Sequence, residues 1–254
     1  MNMIQLNKLN VFFQITFIVA VSMVFGFACT NKENIASDPN TNNTVISTPT
    51  PIPLDPVEIL DKSGQLMQDL KSFRFQMTHN KGGTQFLPGV VIEEVTGSVV
   101  YPDSMAISFN GVFGNTIAIE VGLVTTREGS YMTSPLTGIW QEVESGLNPL
   151  AFFNPSSGIS SIMTNLQNVQ LMESNLENHY KISGNLDAKQ LEPLIGSTLE
   201  NSVVAVELIV NVSNLLMSNA ELSGKVTEFD IEGIIRTINI TDFNDSIIIE
   251  KPDN

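Results

Sequence analysis

The chain has 254 residues, a formal net charge of −15 at pH 7, one cysteine and one tryptophan. So acidic a chain argues against nucleic-acid binding, which needs a basic surface to displace counterions, and we expect no nucleic-acid partner. The charge also argues against electrostatic docking on anionic lipid headgroups, because that docking uses clusters of Lys and Arg.

The first predicted element is an export signal over residues 1–28. Residues 11–28 carry no charged side chain, and Lys8 is the only one before them. The run is short for a membrane span, which needs about 20 apolar residues. Gly26 and Ala28 supply the small residues that precede a cleavage site.

Cys29 follows this run directly. The arrangement is typical of a bacterial lipoprotein signal, in which cleavage falls before a cysteine that receives a diacylglycerol. Gly26 stands where such signals usually carry leucine. Two alternatives stay open, an uncleaved anchor and an ordinary signal peptide. Lipidation at Cys29 would consume the one thiol, so the exported domain would fold without disulfides.

Residues 29–54 form the second segment, rich in Pro, Thr and Asn and poor in large apolar side chains. Such a segment buries too little surface to fold. We predict a disordered tether here and a folded domain over residues 55–254.

The domain is predicted to open with a helix. Asp55 suits the N-cap, Pro56 suits the first helical position, and Glu58 at the third helical position completes a capping-box pattern. One apolar stripe then follows at three- and four-residue spacing, with Val57, Leu60, Gly64, Met67 and Leu70.

Beyond Arg74 the apolar period changes to two, which predicts strands with one apolar and one polar face. Alternation marks residues 74–78, 105–109, 117–123 and 204–212, and turn signals lie between the runs. Because the connections are short, neighbouring strands should pair antiparallel. Helical spacing returns at Ile159, Ile162, Met163 and Leu166, and a second short helix is predicted from Asp187. The fold class is therefore α+β.

Catalytic and metal-binding motifs are missing from this pattern. His79 and His179 have no nucleophile or second ligand at a suitable spacing, and no phosphate-binding glycine loop appears. The adjacent Glu93 and Glu94 should point to opposite faces of a strand and so cannot act as a pair. We predict no enzyme activity, no metal and no cofactor.

Four stretches together resemble the LppX/LprG family of bacterial lipoproteins. They are "DPVEILDKSGQLMQDLKSFRFQM" from Asp55, "IWQEVESGLNPLAFFNPSSGISSIMTNLQNVQL" from Ile139, "HYKISGNLDAKQLEPL" from His179 and "RTINITDFNDSIIIEKP" from Arg236. The resemblance implies one strongly curved antiparallel sheet, an unclosed half-barrel similar to LolA and LolB. Helices would cover its concave apolar face.

The resemblance also implies an apolar cavity that binds acylated lipid or glycolipid between sheet and helices. We expect the alternating strand residues and the helical segment to line it, namely Phe75, Met77, Ile107, Phe109, Ile119, Val121, Phe152, Phe153, Ile162, Met163, Leu166, Val206 and Leu208. A one-residue error in register would turn a strand's set outward. Trp140 has two open roles, at the cavity mouth or in the core.

The predicted protein is a monomeric lipoprotein that carries or holds lipid in the cell envelope or periplasm. Its lipid anchor at Cys29 would hold it on the outer face of the cell membrane, and a lipid exporter is a candidate partner. The alternative is an envelope lipoprotein that carries no lipid and serves as a structural or interaction module.

Overall fold

The computed structural model describes residues 55–87, 89–114, 116–143, 158–192 and 197–253. Two α-helices are described, α1 (Pro56–Gln68) and α2 (Ile159–Thr164), with a short 3₁₀ helix at Ala188–Leu191. The strands are β1 Ser72–His79, β2 Thr84–Leu87, β3 Val90–Val100, β4 Ser104–Phe113, β5 Ile117–Thr126, β6 Gly129–Thr133, β7 Trp140–Val143, β8 Gln167–Met172, β9 His179–Asp187, β10 Val203–Asn211, β11 Met217–Ser223 and β12 Ile235–Thr241. No helix in these ranges is both long enough and apolar enough to cross a membrane.

The predicted cap of α1 is half formed. The Asp55 side chain accepts a hydrogen bond from the Val57 N–H at 2.8 Å, with Pro56 at the first helical position. Glu58 does not complete a capping box, because its carboxylate pairs with Lys62 one turn later at 2.6 Å. One side chain therefore caps the helix and the other stabilises its exposed face.

The buried side of α1 differs slightly from the predicted stripe. Leu60, Gly64 and Met67 are buried as expected, but Val57 is 51% exposed and Ile59 is fully buried. A Cβ at Gly64 would lie 3.2 Å from the Ser160 Oγ. Glycine at this position thus allows α2 to pack closely on α1.

All strands belong to one antiparallel sheet of twelve strands, in the order β7-β6-β5-β4-β3-β1-β12-β11-β10-β9-β8, with β2 paired to β3. The sheet is open, with β7 and β8 at the ends of this order, which confirms the predicted fold class. Two runs of sequential neighbours, β3 to β7 and β8 to β12, are joined where β1 pairs with β12. The first and last strands therefore lie side by side in the centre of the sheet.

One face of the sheet carries the core, and we call it the inner face. Phe73 of β1, Val99 of β3 and Met105 of β4 share a buried cluster with Ile59 and Leu60 of α1. Burial of this apolar surface is the main stabilising contribution to the fold. The opposite face is called the outer face.

A β-bulge interrupts β3 where Ile92 and Glu94 pair with adjacent residues of β4. The bulge changes the phase of the strand, so that Ile92 joins the buried cluster. Glu94 accepts a hydrogen bond from Gln76, a residue of the outer face.

The sequence did not predict β8, although it indicated the helix before it. Five of the six residues of β8 are exposed, and an edge strand of that kind shows no apolar alternation. The helix predicted from Asp187 is present as the 3₁₀ turn, and the Asp187 side chain accepts a hydrogen bond from the Lys189 N–H at 2.9 Å.

Candidate functional site

The pairing register places every strand residue of the predicted cavity on the inner face. Val121 pairs with Phe109, Phe109 with Val95, and Val95 with Met77. The same row continues from Met77 through Ile238 and Ala220 to Leu208. The neighbouring rows contain the rest of the set, Phe75, Ile107, Ile119 and Val206.

Burial divides these inner-face residues into two groups. Ile107, Ile119, Val206 and Leu208 are buried, and all but Ile119 belong to the core cluster. Phe75, Met77, Phe109, Val121 and Ile238 are only half-buried, although they lie on the same face. Four of these half-buried residues lie in one row across the sheet, in which only the buried Val95 comes between them. We call these four the inner apolar row, namely Met77, Phe109, Val121 and Ile238.

The helical part of the predicted lining is described only in part. Met163 and Leu166 are buried, with 1% and 8% exposure, and Ile162 is half-buried against the core. Phe152 and Phe153 lie outside the described residues, as does Cys29.

Gly97 supports the ring of Phe75, which lies beside the inner apolar row. A Cβ at Gly97 would lie 2.5 Å from the Phe75 Cε1, so the ring rests directly on the Gly97 backbone. Phe73 packs against Phe75 with 6.4 Å between ring centroids at 53°. These contacts fix the orientation of Phe75.

At one end of the inner face lies a buried polar cluster that the sequence did not predict. Arg236 and Asp230 form an ion pair at 2.7 Å, with 2% and 0% of their side chains exposed. The Asp230 carboxylate also accepts hydrogen bonds from the Val226 and Thr227 N–H groups. The sequence could have indicated that Arg236 faces inward, because it alternates with Ile238 and Ile240 on the same side of β12.

The pKa of Asp230 reflects two opposing effects. Burial alone raises the pKa of this carboxyl, because it disfavours the charged form. The hydrogen bonds from Arg236, Val226 and Thr227 outweigh burial and hold the pKa of Asp230 below its ordinary value. Asp230 is therefore an anion whose charge is fully paired.

His79 extends this cluster to the neighbouring strand. Its Nδ1 lies 2.8 Å from the Glu93 carbonyl oxygen, and its Nε2 lies 2.9 Å from the Thr84 hydroxyl. Thr84 Oγ1 accepts a hydrogen bond from Arg236 Nε at 2.9 Å. The pKa of His79 is lowered chiefly by burial, with the Glu93 carbonyl opposing and the charge of Arg236 adding to the decrease. A neutral His79 with its proton on Nδ1 satisfies all these contacts.

Trp140 lies on the outer face. It pairs with Thr133, and its indole Cη2 would lie 2.7 Å from a Cβ at Gly122. Neither of the two roles left open for Trp140 matches this position, because the apolar core and the inner apolar row are on the other side of the sheet.

The described residues contain no group of three or more His, Cys, Asp or Glu side chains that could hold a metal ion. The arrangement is suited to contacts with apolar groups on the inner face and with polar groups on the outer face.

Comparisons with known proteins connect this geometry to one family. A family model described as LppX_LprAFG lipoprotein matches residues 55–233. The crystal structure of LprF from Mycobacterium bovis is similar with a TM-score of 0.61 and 17% identity, covering 78% of this chain and 97% of LprF. The lipoprotein LppX from Mycobacterium tuberculosis is similar with a TM-score of 0.53 and 12% identity, covering 77% of this chain and 98% of LppX. A comparison with curated proteins gave no match.

Proposed function

The chain belongs to the LppX_LprAFG lipoprotein family, and on this basis we propose that it binds acylated lipid or glycolipid between the inner face of the sheet and the helices. In this role it carries or holds lipid in the cell envelope, anchored to the outer face of the cell membrane through Cys29. A lipid exporter is the partner that such a role requires if the protein carries lipid. The protein acts as a monomer and without catalysis.

One observation carries the proposal, the half-buried state of the inner apolar row. Met77, Phe109, Val121 and Ile238 are half-buried on the face that elsewhere forms closed core. Among the described helices, α1 and α2 both pack against this face. Apolar side chains in that position contact hydrocarbon favourably, with about 0.8 kcal/mol for each methylene removed from water.

The charge of the chain supports an acyl ligand over a charged one. Arg236 is a basic side chain on the inner face, in the buried polar cluster. It forms an ion pair with Asp230 and donates hydrogen bonds to Thr84 and to the Gly224 carbonyl. Affinity must therefore come from apolar contact, which acyl chains supply.

The test measures lipid that co-purifies with the full chain. Protein is extracted from bacterial membranes, washed, and treated with organic solvent, and the released lipid is quantified by mass spectrometry. The acyl groups attached to Cys29 stay with the protein because they are covalent. We expect released lipid in a constant molar ratio to protein.

Two variants of β5 give this measurement its control. Val121→Trp fills space beside the inner apolar row, and we expect about tenfold less lipid, the effect of displacing about two methylenes. Ala118→Trp places the same side chain on the exposed outer face of the same strand and should retain lipid like the wild type. Equal lipid in both variants would contradict the proposed site. A wild-type chain that yields no lipid would favour the structural or interaction module.

A further inference from the structure

The outer face contains a groove of about 970 Å³ that crosses the centre of the sheet. Its floor consists of short side chains on adjacent strands, Thr96 and Ser98 of β3, Ala106 and Ser108 of β4, and Gly122 of β5. Longer side chains line it as well, Arg74 and Gln76 of β1 and Glu120 of β5, with Trp140 of β7 at one end. We call this the outer groove. It lies on the opposite face from the inner apolar row and does not depend on the function proposed above.

The register explains why a hollow forms here. Ser98 pairs with Ala106, and Thr96 pairs with Ser108, which pairs with Gly122. Two adjacent rows of the outer face are therefore built from small residues. From β5 to β12 the floor spans four interstrand steps of about 4.8 Å, roughly 19 Å in all.

The polar groups of the floor are available to a ligand. The hydroxyls of Thr96, Ser98 and Ser108 and the carboxylate of Glu120 have no hydrogen-bond or ionic partner within the described structure. Asn239 accepts a hydrogen bond from Asn219 at 2.8 Å through its carbonyl oxygen, which leaves its NH₂ group as a donor. The groove thus offers hydroxyls that both donate and accept, one carboxylate that accepts and one NH₂ group that donates.

Charge restricts the class of ligand. Arg74 is engaged by Asp242 at 2.7 Å, so its positive charge is compensated. The remaining charged group of the floor and rim is the acidic Glu120, in a chain of net charge −15. An anionic ligand would be repelled. The described residues also contain no group of three or more His, Cys, Asp or Glu side chains that could hold a metal ion in the groove.

The pairing of the strands excludes one further ligand class. β5, β4, β3, β1 and β12 are hydrogen-bonded on both sides. The groove therefore offers no free strand edge to which an extended peptide could add as a further strand. A ligand must be held by side chains, by many neutral hydrogen bonds and by the ring of Trp140.

We propose that the outer groove binds a neutral oligosaccharide. Sugar rings present hydroxyls that both donate and accept, which match the free groups of Thr96, Ser98, Ser108 and Asn239. Their nonpolar C–H faces match an aromatic ring, and Trp140 supplies that ring with a polar N–H at its edge. A hollow of this size with a few placed polar groups is typical of small-ligand sites.

The only tryptophan of the chain reports on the site directly. The full chain, kept in a detergent without a sugar headgroup, is titrated with maltoheptaose, cellohexaose and dextran while tryptophan emission is recorded. Because Trp140 is the single tryptophan, a saturable change in emission reports binding at the groove. We expect such a change with at least one of these neutral probes.

Matched variants test the location and the chemistry. Ser108→Phe fills the floor and should abolish the emission change, whereas Ser183→Phe, on the outer face of β9 away from the groove, should not. Thr96→Val keeps the shape and removes one hydroxyl, and it should weaken binding about fivefold, the effect of one neutral hydrogen bond. Thermal melting of each variant shows that it is folded, and Thr96→Val keeps the test decisive if Ser108→Phe fails to fold.

Three results would overturn the proposal. The first is no emission change with any neutral probe at millimolar concentration, and the second is unaltered binding in folded Thr96→Val and Ser108→Phe. The third is tighter binding of dextran sulfate than of dextran, which would show that the groove recognises anions.

Discussion

Arg236 is the largest fully buried side chain among the described residues. A charged group is stable there only when its hydrogen bonds are complete. Asp230, Thr84 and the Gly224 carbonyl supply them. Through Arg236, the cluster links the loop before β12 to β2 at this end of the sheet.

We expect Asp230→Ala to lower the free energy of unfolding by about 3–5 kcal/mol, because Arg236 would be left buried and unpaired. The matched control is Arg127→Ala. Arg127 also forms a close ion pair, with Asp103 at 2.6 Å, but its side chain is 78% exposed, so the expected loss is below about 1 kcal/mol. Urea denaturation of both variants measures the difference. Similar losses in the two variants would show that the buried pair is not a specific stabilising element.

At the scale of the element, β10 shows how strand parity separates core from surface. Val204, Val206, Leu208 and Val210 are buried on the inner face, whereas Val203 and Ala205 are exposed. The strand continues in the same phase to Ile209, beyond which a bulge shifts its pairing with β11.

Leu208→Ala should therefore destabilise the protein by about 2–5 kcal/mol, the cost of a cavity in a closed core. Ile209→Ala removes a side chain of equal size from the outer face of the same strand and should cost clearly less. The measurement is the urea midpoint of each variant at unchanged m-value. Equal midpoints would mean that the two faces of β10 are equally packed, which would contradict the described register.

The whole molecule combines a folded sheet with an N-terminal segment that the sequence predicts to be a signal, a lipidated cysteine and a tether. Residues 1–28, 29–54 and 55–254 remain a predicted division, since Cys29 lies outside the described residues. In the proposed function, the anchor determines location and the sheet determines ligand binding.

Replacing Cys29 tests this division of roles. In bacteria grown with labelled palmitate, we expect the wild type to carry label and Cys29→Ser to carry none, because serine offers no thiol for the diacylglycerol. The temperature of unfolding of the sheet should be the same in both proteins. Label retained in Cys29→Ser would place the acylation elsewhere, and an ordinary signal peptide would leave both proteins unlabelled.

The strand residues predicted to line the cavity show which part of the fold the sequence predicts. Alternation predicted which residues of β1, β4, β5 and β10 share a face, because side chains of a strand point to opposite sides with a period of two. Edge strand β8 was not predicted, because its exposed residues do not alternate. Alternation also could not distinguish Leu208, packed in closed core, from Val121, which is half-buried, since burial depends on what packs against the strand.

The sequence by itself determined the α+β class, the helix capped by Asp55 and the parity of the main strands, all of which depend on residues close together along the chain. Only the tertiary structure decided that β1 pairs with β12, that Arg236 meets Asp230 and Thr84 in the core, and that Trp140 rests on Gly122 above the outer groove. The physical reason is that these contacts join distant residues through strand order and register. Local propensity and spacing do not encode them.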